Sequence, residues 1–229
     1  MKNKILIIAA HPDDEVLGCG GTIAKYAKAG DKVYCLILNK GKEARSGKKK
    51  FSIRKEQSIL QEEAERSAKI LGIAEMFFEN FPDQKYDAVP LLNIIKAIEK
   101  IKEEIKPNII FTHYAEDLNL DHRITFQAVL TACRPLKQET VKRIYSFEIP
   151  SSSEWGIPKR KNYFVPNVFE DILDTFPVKV KALESYKSEL REYPHPRSAK
   201  GIEIVARRWG LVAGKKFVEA FELVREIKN

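Results

Sequence analysis

The segment Ala10-His11-Pro12-Asp13-Asp14-Glu15 sets one imidazole and three carboxylates directly after the apolar run Ile5-Leu6-Ile7-Ile8-Ala9. A buried strand has no packing use for adjacent acids at its end, because unpaired buried charge is costly. A divalent cation removes that cost, and a mixed nitrogen and oxygen donor set suits zinc or a related transition metal. The same acids would also complement the dipole of a following helix, so this segment alone does not define a site. A second cluster adds to it. Pro107-Asn108-Ile109-Ile110-Phe111-Thr112 reads as another short buried strand. It runs into His113-Tyr114-Ala115-Glu116-Asp117-Leu118-Asn119-Leu120-Asp121-His122-Arg123, which holds two of the chain's four histidines and three acids. Two such strand-end loops are what a metal site assembled across one sheet requires.

The elements that must position these residues alternate along the chain. A strand over 4–10 leads to a helix over 17–29 closed by Gly30, then a strand over 32–38 and a long helix over 53–71 that stops at Gly72. Met76-Phe77-Phe78 is a short strand, followed by a helix over 89–105, the strand over 108–112 and a helix over 122–133 stopped by Pro135. This order predicts an α/β fold: a single Rossmann-like domain over 1–229, with a mostly parallel sheet and helices on both faces. In such sheets ligands bind at the carboxyl ends of strands, where both clusters fall. Further on, strands are expected over 144–149 and 167–172, and helices over 177–191, 199–208 and 214–227.

With 229 residues and 44% hydrophobic composition the chain can bury a substantial core. No apolar stretch approaches the ~20 residues of a membrane span, so no transmembrane segment is expected. A cleaved leader would remove the His11 motif, and the chain is read as cytoplasmic. Cys19, Cys35 and Cys133 are widely spaced, which gives neither a disulfide framework nor a thiolate zinc site. The net charge of +8 is densest over 40–55, with Arg45, Lys48, Lys49, Lys50, Arg54 and Lys55. That run is either a solvated loop or a basic rim attracting an anionic substrate. Only Phe51 interleaves it, against nucleic-acid binding. Gly18-Cys19-Gly20-Gly21 lacks the full Gly-x-Gly-x-x-Gly and reads as close helix–sheet packing, not a dinucleotide loop.

The two motifs resemble the LmbE-like, or PIG-L, family of zinc-dependent de-N-acetylases, whose signature is His-Pro-Asp-Asp-Glu after the first strand and a later segment ending in Asp-His. The resemblance extends to Phe147-Glu148-Ile149-Pro150-Ser151-Ser152-Ser153-Glu154-Trp155 and Pro194-His195-Pro196-Arg197-Ser198. It implies His11, Asp14 and His122 as ligands of Zn2+ or another divalent transition metal, Asp13 as general base, and Glu15 as a supporting residue. It also implies a small-molecule amino-sugar conjugate as substrate and a homo-oligomer, trimer or hexamer. Three protein ligands leave an open position, the mark of a catalytic zinc site.

Many family members carry a histidine where this chain has Asn119. An amide can donate to a developing oxyanion but cannot deliver a proton, which leaves His195, His113 or Asp13 itself to protonate the leaving amine. Asp121 is placed to orient a histidine. Arg197, on a loop stiffened by two prolines, could clamp a substrate carboxylate or phosphate, and Trp155 and Tyr163 offer aromatic faces to a sugar. The alternatives are a phosphoesterase-type metallohydrolase, which would usually want a second metal, and a non-catalytic sugar-binding protein.

Overall fold

Strand β1 (Lys4–Ala9) is buried on both faces beyond its first residue. Ile5, Ile7 and Ala9 enter one hydrophobic cluster and Leu6, Ile8 and Ala10 the other, so the strand is apolar without alternation. The computed structural model describes residues 2–39, 50–156 and 163–228, with 50–55 by backbone only. The basic run over 40–55 therefore lies outside the described side chains. After β1 come α1 (Asp14–Lys28), β2 (Lys32–Ile37), α2 (Lys50–Leu71), β3 (Glu75–Phe78), α3 (Leu91–Ile105), β4 (Ile109–His113) and α4 (Leu120–Ala132). Then β5 (Arg143–Phe147), β6 (Val168–Asp171), α5 (Phe176–Leu183), α6 (Ala199–Ala213) and β7 (Val218–Glu226) complete the described elements.

The seven strands form one sheet in the order β3-β2-β1-β4-β5-β7-β6. The first five in that order pair in parallel, and β7 runs antiparallel to both β5 and β6. Helices α1, α2 and α5 pack on one face with Leu17, Leu60 and Leu183, while α3 and α4 pack on the other with Ile98 and Val129. The predicted α/β architecture with helices on both faces is borne out. Strand order reverses between β1 and β4, the switch point at which open sheets leave a crevice.

Two helix expectations are corrected. Residues 214–227 contain the strand β7, because Val218, Glu219, Ala220 and Phe221 are all buried between neighbouring strands and elements. The helix expected over 177–191 ends at Leu183; Tyr186 is fully buried beyond it, with its hydroxyl on Glu15.

Helix α1 is interrupted at Cys19, whose φ of −146° and ψ of 23° are not helical. The polar groups at the break find partners elsewhere. Leu17 O accepts from Lys179 Nζ at 2.8 Å, while Gly21 and Thr22 N–H donate to the two oxygens of Glu219 at 2.9 and 2.7 Å. Lys179 and Glu219 are themselves paired at 2.6 Å and buried. The carboxylate thus caps the N-terminus of the second half-helix and the ammonium caps the C-terminus of the first. A Cβ on Gly18 would strike the Phe147 ring and one on Gly21 the Ile172 side chain, so these glycines permit close helix–sheet approach.

Candidate metal centre

His11 comes from the turn between β1 and α1, Asp14 is the first residue of α1, and His122 lies in the first turn of α4, which follows β4. Neighbouring parallel strands bring these two loops together. His11 Nδ1 lies 3.3 Å from His122 Nε2 and 3.3 Å from Asp14 Oδ2, and the last two atoms are 3.3 Å apart. A tetrahedron with bonds of about 2.05 Å has edges of roughly 3.3–3.4 Å, so the three donor atoms form one face of a zinc-sized coordination sphere.

The outer nitrogens support the same arrangement. His11 Nε2 is 3.1 Å from Asp121 Oδ2, and His122 Nδ1 is 3.1 Å from Asp117 Oδ1. With the outer nitrogens facing those carboxylates, the two inner nitrogens and Asp14 Oδ2 converge on one point, a donor set suited to a cation. Carboxylates behind metal-bound histidines commonly fix tautomer and orientation in this way. Without an ion, protons take its place. Burial opposes protonation of His11, yet its bonds to Asp121 and Asp14 push it up to about 10. Burial likewise opposes charging His122, which Asp14 and Asp117 raise. Burial would raise Asp14, but His122, His113 and His11 hold it well below the usual carboxylate range.

The supporting carboxylates are themselves anchored. Asp121 accepts the Gln84 N–H at 2.8 Å and the Tyr86 N–H at 3.0 Å, so the loop after β3 braces His11. Asp117 accepts from the Asn119 N–H at 2.8 Å, from Ser153 Oγ at 2.5 Å and from Ser152 Oγ. Burial would raise Asp117; His122 and the serines instead hold it at about 2.

Asp13 occupies the left-handed region, with φ 94° and ψ −25°. A non-glycine residue there is strained and persists only where its surroundings enforce it. Its N–H donates to Glu15 Oε2 at 3.2 Å, and Glu15 Oε1 accepts from the Tyr186 hydroxyl at 2.5 Å. Burial pushes the Glu15 carboxyl up to about 8. Adjacent residues therefore serve different places: Asp14 joins the triad, while Asp13 Oδ2 accepts from Arg197 Nη1 at 3.0 Å. Burial pushes Asp13 up to about 7, with Arg197 opposing the shift.

The cleft over the triad has a volume of about 480 Å³ and includes Asp13, Asp14, Asp83, Gln84, Asn119 and Glu189 in its lining. Asn119 caps α4, its Oδ1 accepting the Asp121 N–H at 2.9 Å, which leaves the amide NH2 as the end available to a ligand. His113 is fully buried; its Nε2 accepts the Ala10 N–H at 2.8 Å, and its ring stacks on His122 at 4.0 Å. Burial and His122 hold it well below the ordinary histidine range. His195 and Trp155 are not at the triad. They line an adjoining trough and meet edge to face at 5.7 Å. Arg197 reaches both spaces, and its Nε donates to Ser151 Oγ at 2.7 Å and Pro150 O at 3.2 Å.

The sequence reading missed Asp83, Gln84, Glu189 and Tyr186 as parts of the site, and counted Asp117 in the second cluster without giving it a role. For Asp83 and Gln84 a signal existed: they follow β3, the third strand end on the same rim. A second carboxylate group around His11, made by Asp83 and Asp121, also lies within ligand distance, but it shares His11 with the triad.

Comparison with known proteins identifies the family. The family described as "PIG-L: GlcNAc-PI de-N-acetylase" matches residues 6–133, a span holding both loops. An Escherichia coli K12 protein named "Uncharacterized deacetylase YaiS" is 32% identical over 195 residues, covering 82% of this chain and 92% of its own. "Probable N-acetyl-alpha-D-glucosaminyl L-malate deacetylase 2" of Bacillus anthracis is 26% identical over 194 residues, covering 82% and 83%. Among solved structures, the N,N'-diacetylchitobiose deacetylase of Pyrococcus horikoshii in complex with its inhibitor superposes with a TM-score of 0.77 at 22% identity, covering 97% of this chain and 84% of that one. The chain belongs to the PIG-L family of deacetylases.

Proposed function

We propose that the protein removes the acetyl group from an N-acetylglucosamine-type sugar joined to a second group, using a zinc ion held by His11, Asp14 and His122. The observation that carries this reading is the triangle of donor atoms with edges of 3.3 Å, with the Asp13 carboxylate lining the same cleft. The names of the relatives point to the same sugar, attached to malate in one and within a disaccharide in another. A divalent ion at this position supplies Lewis acidity and lowers the pKa of water.

The chain's own residues would then act as follows. Asp13 takes a proton from water as the oxygen bonds to the acetyl carbon. Its carboxylate lines the cleft beside the triad, within reach of a group that must both lose and regain a proton. The Asn119 amide donates to the developing oxyanion. As the C–N bond breaks, the nitrogen receives the proton from Asp13, yielding acetate and a free amine. Asp13 is favoured over His113 in that step because His113 Nε2 is committed to the Ala10 N–H. His195 is assigned to binding, since it lines the trough.

The test is acetate release from a panel of N-acetylglucosaminyl conjugates by zinc-loaded protein, chelated protein and Asp13→Ala. Release that needs both metal and Asp13 supports the reading. Release indifferent to Asp13→Ala, or none from any conjugate with stoichiometric metal bound, would sink it.

A further inference from the structure

The metal cleft opens onto a larger trough of about 1030 Å³, and the two share Gln84, Asn119 and Arg197 in their linings. The two spaces differ in chemistry. Four carboxylates line the cleft: those of Asp13, Asp14, Asp83 and Glu189. Among the described residues none lines the trough, whose ionisable groups are Arg191, His195 and Arg197. Its apolar wall is Leu118, Leu120 and Trp155, which are 50%, 41% and 54% exposed.

The donors face this space in a defined way. His195 Nδ1 accepts the Arg197 N–H at 3.1 Å, so a neutral imidazole carries its proton on Nε2 and offers it outward. Burial and the two arginines keep His195 below its ordinary value, so neutral is its form near pH 7. Arg191 uses Nη1 on its neighbour Leu190 O at 2.9 Å and is only loosely held by Glu189, with 3.6 Å between Nη2 and Oε2. The other nearby carboxylate, Glu154, accepts the Ser151 and Ser152 N–H groups. Arg197 is engaged by Asp13, so Arg191 is the guanidinium best able to turn to a ligand.

Taking the proposed deacetylase reading as given, we infer that the trough receives the group attached to the amino sugar, that this group is anionic, and that Arg191 and His195 select it. The amide end lies among carboxylates that hold a cation, whereas an anion there would be repelled; the trough reverses that preference. The apolar wall covers the carbon skeleton of the attached group, and the opposite wall pairs with its charge. Carboxylate and phosphate share this chemistry.

The test compares three conjugates of N-acetylglucosamine whose attached groups match in size and carry a carboxylate, a phosphate or a neutral amide. Turnover is measured with zinc-loaded wild type, Arg191→Gln and His195→Ala, and binding of each conjugate is followed in parallel by calorimetry. The expected result is an anionic-to-neutral ratio in kcat/KM of at least tenfold for wild type, falling about tenfold in Arg191→Gln and less in His195→Ala. The better of the two anions identifies the source of the charge. A ratio near one in the wild type, or one unchanged in Arg191→Gln, would overturn the assignment. If no conjugate releases acetate, the deacetylase reading fails on its own, and the calorimetric preference still decides the trough.

Discussion

Asp13 and Arg197 meet across 184 positions of sequence, Nη1 to Oδ2 at 3.0 Å, with both side chains largely buried. The arginine also holds Ser151 Oγ and Pro150 O, so one guanidinium ties the proposed base to the loop that forms the trough. Losing a hydrogen bond to a charged partner costs about 1.5–3 kcal/mol. Arg197→Ala should therefore lower kcat/KM for acetate release by roughly 10–100-fold. Arg197→Lys should recover only part, because an ammonium cannot span all three acceptors. Equal rates for wild type and Arg197→Ala would mean that the contact does not serve the base.

Chelation provides a second prediction, independent of turnover. An ion held by His11, Asp14 and His122 at 100 times its Kd stabilises the fold by about 2.7 kcal/mol. Removing it should lower Tm by roughly 5–10 °C for a chain of this size. His122→Ala should have a Tm that no longer responds to added zinc. A zinc-dependent rise in Tm in that variant would place the ion elsewhere.

Asp117 predicts a pH dependence in the chelated protein. Its carboxyl is held at about 2, below the ordinary 3.8. The folded state thus binds its proton less readily than the unfolded chain. The contribution is complete above about pH 4 and is lost as pH falls through 2, worth about 2 kcal/mol. Asp117→Asn should be less stable than wild type by that order at pH 7 and nearly equal to it at pH 2, as measured by denaturant unfolding. A difference that does not shrink on acidification would rule out this linkage.

The buried pair at the break in α1 gives the fourth prediction. Removing one partner of such a pair typically costs 3–5 kcal/mol, because the other charge is left unmatched. Lys179→Met and Glu219→Leu should each approach that loss in denaturant unfolding. Lys179→Met with Glu219→Leu should cost less than the sum of the singles, since no lone charge remains, though the half-helix ends stay uncapped. Additive losses would show that the two side chains act separately.

Much of the fold was legible from sequence because its parallel strands are short, mostly apolar runs, clearest in Ile5-Leu6-Ile7-Ile8 and Ile109-Ile110-Phe111, separated by amphipathic helices. Strand β7 was not. Phe217, Ala220, Phe221 and Val224 recur at helical spacing, and Glu, Ala and Leu favour helices, so local preference pointed the wrong way. Burial between neighbouring strands decided it instead. The place of Glu219 was hidden for a related reason: nothing local shows that the break in α1 supplies two N–H groups to receive its carboxylate. At the site, the His and Asp side chains of the two loops announced themselves by type and position. Glu189 did not, being a single acid in an irregular segment whose approach to the cleft depends on tertiary packing.

The order of elements along the chain has a consequence for biosynthesis. The triad is complete in sequence by His122, on the segments that follow strands β1 and β4, which pair directly. Arg197 and Glu219, which hold Asp13 and brace the broken helix, are translated later, and β7 is added to β5 from the far end of the sequence. A ribosome therefore delivers the metal-binding loops while one edge of the parallel sheet still lacks its neighbour and the α1 break lacks its caps. An exposed strand edge invites wrong partners, so the nascent chain is most vulnerable between the emergence of β5 and the arrival of β7.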